Sequence, residues 1–141
     1  MYTPAIEDYL KTIYTIQFEQ GQVTTTGLAE RLGVAPASAT NMIKKLASLG
    51  LVAYEPYHGL TLTEAGQKMA LKILRQHRLV ELYLSEVLGL SWEQAHAEAE
   101  KWEHVLSEEM EDRMDALLGH PTVNPQGEPI PTHEETMAEA V

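Results

Sequence analysis

"LAERLGVAPASATNMIKKLASLGLV", Leu28 to Val52, is the stretch on which the fold turns. Leu28, Ala29 and Leu32 recur at helical spacing and stop at Gly33, a residue suited to a left-handed helix exit. Pro36 then opens a longer helix with Ile43 and Leu46 on one face, and Gly50 closes it. "LVAYEPYHGLTLT" alternates, turns at "PYHG" and alternates again, which predicts a small β-hairpin. Upstream, residues 5–19 carry Ile6, Tyr9, Leu10, Ile13 and Ile16 at helical spacing, with Thr3 as cap and Pro4 at the first helical position. Helix, short helix, tight turn, longer helix and hairpin is the order of a winged helix-turn-helix. The expected fold class is therefore predominantly α: a winged helix-turn-helix domain over 1–63, with a small β-hairpin wing, followed by helices.

In a winged module the second helix of the pair enters the major groove with its N-terminal residues at the base edges. Here that helix begins Pro36, Ala37, Ser38, and continues to Thr40 and Asn41. Ser and Thr hydroxyls donate or accept, Asn pairs with adenine in bidentate fashion, and Ala can meet a thymine methyl. Lys44 and Lys45, one turn on, are placed for phosphates. Tyr57 and His58 stand at the wing tip. The same fold also serves as a protein-interaction module, with these residues as ordinary polar surface. Charge bears on the choice. The whole chain carries −11, yet residues 1–80 hold eight Lys and Arg against six acids, while residues 81–141 hold two against fifteen. The first half can meet a polyanion and the second can hold cations. One copy should bind DNA weakly, so a symmetric dimer is expected.

From Thr63, read as the N-cap, one long helix is predicted to run to Gly89. Ser91 and Gln94 have the spacing of a capping box and open the next helix, which carries "HAEAEKWEH", His96 to His104. At about 100° per residue, His96, Glu100, Glu103 and His104 fall within an arc of about 100° beside the apolar seam. His77 and Glu81, four apart, share a face of the long helix. A last helix is expected from Ser107 to Leu118. Trp92, Ala95, Ala99, Trp102, Met110, Met114 and Leu117 are the expected dimer surface, the alternative being burial within one protomer. These helices are expected to form a metal-binding and dimerisation domain over 64–119. Residues 120–141, rich in proline and charge, read as an extended linker or tail.

With these elements in place, the chain resembles the diphtheria-toxin-repressor and manganese-transport-regulator family of metal-dependent transcriptional repressors. The resemblance rests on "IEDYLKTIY", the winged module, "RQHRLVELYL", "HAEAEKWEHVLSEEME" and "HPTVNPQGEPIP". It implies a homodimer that binds a palindromic double-stranded DNA operator when loaded with divalent metal, usually repressing metal-uptake genes. Matched position by position, it implies a principal metal site of Asp8, Glu100, Glu103 and His104, and an ancillary site of His77, Glu81 and His96, hence two ions per protomer. The principal set is three carboxylates and one imidazole, and its hard oxygen donors favour Mn²⁺ or Fe²⁺. Manganese-sensing relatives carry the same acids as Asp8 and Glu100, so Mn²⁺ is the expected ion and Fe²⁺ the alternative. Lys11 departs from members that use an acid there to build a binuclear centre. Longer members add a third domain. It is expected to be absent here, unless the chain is a fragment, with water or an anion completing the ancillary site. A metal tying Asp8 to the second half would fix the spacing of two recognition helices to half-sites a helical turn or multiples apart.

No run approaches the roughly 18 apolar residues of a membrane span, and the N-terminus lacks a signal pattern. Zero cysteines exclude disulfides and thiolate ligands and fit a cytoplasmic protein. An enzyme is not expected. Di-iron oxidases need Glu-x-x-His on two helices, and here Glu93–His96 has it, while Glu55–His58 falls in the wing. No HExxH, serine triad or phosphate-binding glycine loop occurs. No small organic substrate is expected. The remaining alternative is a winged-helix regulator answering an organic ligand, with the His and Glu residues merely structural.

Overall fold

The computed structural model describes residues 3–55, 59–102 and 104–136. The elements run α1 (Pro4–Gln20), α2 (Thr25–Leu32), α3 (Pro36–Ser48), β1 (Val52–Glu55), β2 (Gly59–Leu62), α4 (Glu64–Glu86), α5 (Trp92–Trp102), α6 (Glu108–Leu117) and α7 (His133–Thr136). Local chemistry sets most of these ends. Thr3 Oγ1 accepts from the Ile6 N–H at 3.2 Å, and Gly21 exits α1 in the left-handed region. Thr24 caps α2 in the same way, and Gly33 ends it with φ +68°. Ser91 and Gln94 form the reciprocal pair of a capping box: Gln94 N donates to Ser91 Oγ at 3.2 Å, and Ser91 N to Gln94 Oε1 at 3.1 Å. Ser107 caps α6.

The chain divides into two compact units within α4, between Leu71 and Lys72. In the first, α1, α2, α3 and the antiparallel β1–β2 hairpin enclose one core, with Leu10, Ile13, Leu28, Leu46 and Leu60 fully buried. Val23 pairs with Leu60 as an isolated antiparallel bridge, a one-residue third strand beside β2. Thr63 Oγ1 accepts from Gly66 N and donates to Gly50 O, so the cap of α4 is also pinned to the exit of α3. Gly66 is there because nothing larger fits: a Cβ would lie 2.0 Å from Leu51 O.

In the second unit, Leu79, Val80 and Leu84 of α4 pack with Ala95 and Ala99 of α5 and Met114 of α6. Arg75 is buried and bonds Glu111 Oε2 at 2.6 Å and the Pro131 carbonyl at 3.1 Å, with Asp115 at 3.7 Å. Burying such a pair is tolerable only because each charge has its partner.

Residues 120–136 depart from the extended tail that their proline content suggests. Ile130 and Pro131 are buried, Val123 bridges Pro129, and Arg78 donates to the Pro129 carbonyl at 2.7 Å. Side chains of α4 supply what composition could not: two guanidinium groups that satisfy two of the segment's carbonyls.

Candidate functional site

α3 presents one apolar and one polar face. Ala39, Ile43 and Leu46 are buried, while Pro36, Ala37, Ser38, Thr40, Asn41, Lys44 and Lys45 are all exposed. The face that could read a groove is thus free of the unit's own core. Tyr57 and His58 lie outside the described residues.

The second unit gathers a histidine–carboxylate cluster. His77 and Glu81, one turn apart on α4, are 6% and 3% exposed. His77 Nε2 lies 2.9 Å from Glu81 Oε2, and His96 Nδ1, from α5, lies 2.6 Å from the same oxygen. The two ring nitrogens are 3.2 Å apart. Donors about 2.1 Å from one cation and at right angles stand about 3.0 Å from each other, so this triangle has the size of one face of a coordination sphere. His96 Nε2 faces Glu100 Oε1 at 3.5 Å, and His77, His96 and Glu100 offer ligand atoms within 4.8 Å of one another. Glu100, matched by resemblance to the principal set, therefore stands beside the ancillary one.

Burial pushes the Glu81 carboxyl up. The hydrogen bond and charge of His77, then hydrogen bonds from His96 and Asn124, outweigh burial and hold it at about 2. It is a permanent anion, as a metal ligand must be. Trp92 stacks on the His96 ring, centroids 4.6 Å apart and planes 16° from parallel, and fixes its orientation. Asn124 reaches Glu81 Oε1 at 2.8 Å. Sequence reading passed over Asn124. Its one signal was "NPQG", an Asn-Pro-x-Gly run with turn chemistry.

Of the other candidates, Asp8 is half-buried on α1, Glu100 is exposed on α5 and His104 is half-buried after it; Glu103 lies outside the described residues. Ala95, Ala99 and Met114 are closed inside the unit's own core, whereas Met110 and Leu117 are 48% and 65% exposed and the two tryptophans half-buried. Among the described residues no helix is long and apolar enough to cross a membrane.

Fold and cluster together define a class: a winged helix-turn-helix unit followed by a helical unit that holds a histidine–carboxylate cluster. The chain belongs to the diphtheria-toxin-repressor family of iron-dependent repressors, a family of DNA-binding proteins and not of enzymes. The family's N-terminal DNA binding domain matches residues 1–60, and its metal binding and dimerisation domain matches residues 63–132. The iron-dependent repressor IdeR of Mycobacterium tuberculosis is 40% identical over 125 residues, 89% of this chain and 54% of that protein. An uncharacterized HTH-type transcriptional regulator of Methanocaldococcus jannaschii, MJ0568, is 48% identical over 115 residues, 81% of this chain and 92% of it. A manganese-dependent transcriptional repressor solved in complex with manganese superposes with a TM-score of 0.84 at 44% identity, covering 92% of this chain and 59% of that one. The chain thus spans about half the length of the mycobacterial repressor that it matches.

Proposed function

We propose that this chain is a divalent-metal-dependent transcriptional repressor that binds a palindromic operator as a homodimer. The observation that carries the reading is the His77–Glu81–His96 triangle, a buried permanent carboxylate with two imidazoles at coordination spacing. The exposed polar and basic face of α3 supports the DNA half of the reading, with Ser38, Thr40 and Asn41 at base edges and Lys44 and Lys45 on phosphates.

The second ion is assigned to Asp8, Glu100, Glu103 and His104 on donor chemistry and the residue-by-residue match to the family. Three carboxylates and one imidazole favour Mn²⁺, with Fe²⁺ as the alternative that the mycobacterial relative's name suggests. These residues would hold the ion, whose positive charge would offset the mutual repulsion of the three carboxylates, and only a preference for the DNA-competent conformation would drive the switch. The dimer surface proposed here draws on the exposed Met110 and Leu117, together with the half-buried Trp92 and Trp102.

Gel-shift titration against a duplex selected from random sequence, with Mn²⁺, Fe²⁺, Zn²⁺ and chelator in parallel, tests the whole reading. Metal-dependent retention by the native protein is expected, and Asp8→Ala should abolish it while sedimentation still shows a dimer. Equal retention in chelator points instead to a regulator of another ligand. Retention that stays metal-dependent in Asp8→Ala removes Asp8 from the switch.

A further inference from the structure

We infer that Asn124 is a positioning residue of the His77–Glu81–His96 site, making Glu81 a one-oxygen ligand and linking residues 122–131 to metal occupancy. The inference rests on the metal-binding reading of that cluster. Asn124 is 2% exposed and uses every polar atom of its side chain. Its Oδ1 accepts from the backbone N–H groups of Gln126 at 3.0 Å and Glu128 at 2.8 Å, the geometry of an Asx turn. The backbone around it closes in the same sense, with Asn124 N donating to Glu128 O and Ile130 N to Thr122 O. Oδ1 is thus committed to the turn, and the amide NH₂ must face outward. One of its hydrogens goes to Glu128 Oε1 at 2.9 Å and the other to Glu81 Oε1 at 2.8 Å.

The consequence falls on Glu81. A carboxylate beside a cation can bind through one oxygen or chelate through both, and rotation between the modes is cheap unless something holds it. Asn124 holds Oε1, so Oε2 alone points at His77 and His96. The anchor is itself fixed from α4, because Arg78 holds the Pro129 carbonyl and Arg75 the Pro131 carbonyl. Residues 122–131 therefore act as a strap across the site, fastened at both guanidinium groups and touching the ligand shell through one amide. Partners of this kind are worth about 10–100-fold in metal affinity.

The test is calorimetric titration of the metal-free full chain with Mn²⁺, comparing native protein, His77→Ala, Asn124→Ser and Asn124→Asp. His77→Ala identifies which binding phase belongs to this site. Serine and aspartate each keep an oxygen for the turn but lose the amide donor, and aspartate sets a negative oxygen against Glu81. Both should weaken the His77-dependent phase, Asn124→Ser by about 10–100-fold and Asn124→Asp by more, leaving the other phase unchanged. An unaltered His77-dependent phase in both variants overturns the inference. So does a parallel fall of both phases, which is the mark of a merely structural turn. If His77→Ala removes no Mn²⁺ phase at all, the metal reading of the cluster fails first and the inference with it.

Discussion

Glu81 sits where three demands meet: it is buried, it accepts from two imidazoles, and its second oxygen is tied to Asn124. Its carboxyl is held at about 2 against an ordinary 4.5. A depressed carboxyl contributes stability that is fully present above the unfolded value and lost as pH falls through the folded one. Thermal melts of the metal-free protein should therefore show Tm falling between about pH 4.5 and pH 2, and Glu81→Gln should flatten that fall. A native profile identical to that of Glu81→Gln would mean that the carboxylate is not held in this way. The α3 surface works at the same scale with the opposite economy. Ser38, Thr40 and Asn41 are exposed and bury nothing, so exchanging them should change DNA choice and leave folding alone.

Among the elements, α4 carries the most constraints. Its first turn lies against the end of α3, where Thr63 is bonded to Gly50 and Gly66 meets the Leu51 carbonyl; its middle holds Arg75, His77 and Glu81. Gly66→Ala forces a methyl to 2.0 Å from Leu51 O, and that obstacle is backbone, so the helix must shift. The expected cost is about 1–3 kcal/mol, read as a lower denaturant midpoint, despite the better helix propensity of alanine. A rise in stability would show that the helix start can move freely. The neighbouring α5 divides its labour by face. Ala95 and Ala99 let it approach the core, and His96 and Glu100 lie on the adjoining face with their ligand atoms 3.5 Å apart.

At the scale of the molecule, two compact units share one helix and carry unequal charge, near neutral to basic over the first eighty residues and strongly acidic beyond. A winged unit with so little net positive charge gains affinity when two copies engage one operator, since phosphate contacts add. Pairing is thus a condition of function in the proposed reading, and its surface must be one the protomer leaves open. Leu117 is 65% exposed and lies on α6. Leu117→Lys should convert the dimer to monomer in sedimentation and weaken operator retention. The thermal stability of the monomer should change little, because an exposed substitution of this kind usually stays within about 0.5 kcal/mol. A variant that remains dimeric places the pairing surface elsewhere.

What the sequence determined alone is what short-range chemistry decides. Thr3, Gly33, Pro36, the Ser91–Gln94 box and Ser107 set helix ends through contacts within four residues, and helical periodicity put His96 and Glu100 on one face. Only the tertiary structure decided which of two apolar faces closes inward, and it took Ala95, Ala99 and Met114 for the core. Only it could seat residues 122–131 on α4, because the proline-rich segment's carbonyls find their donors in Arg75 and Arg78, some fifty residues away. Periodicity records that a side chain is apolar, and composition that a segment is polar. Neither records what will stand opposite, and for Glu81 the group opposite is what fixes the direction of its free oxygen.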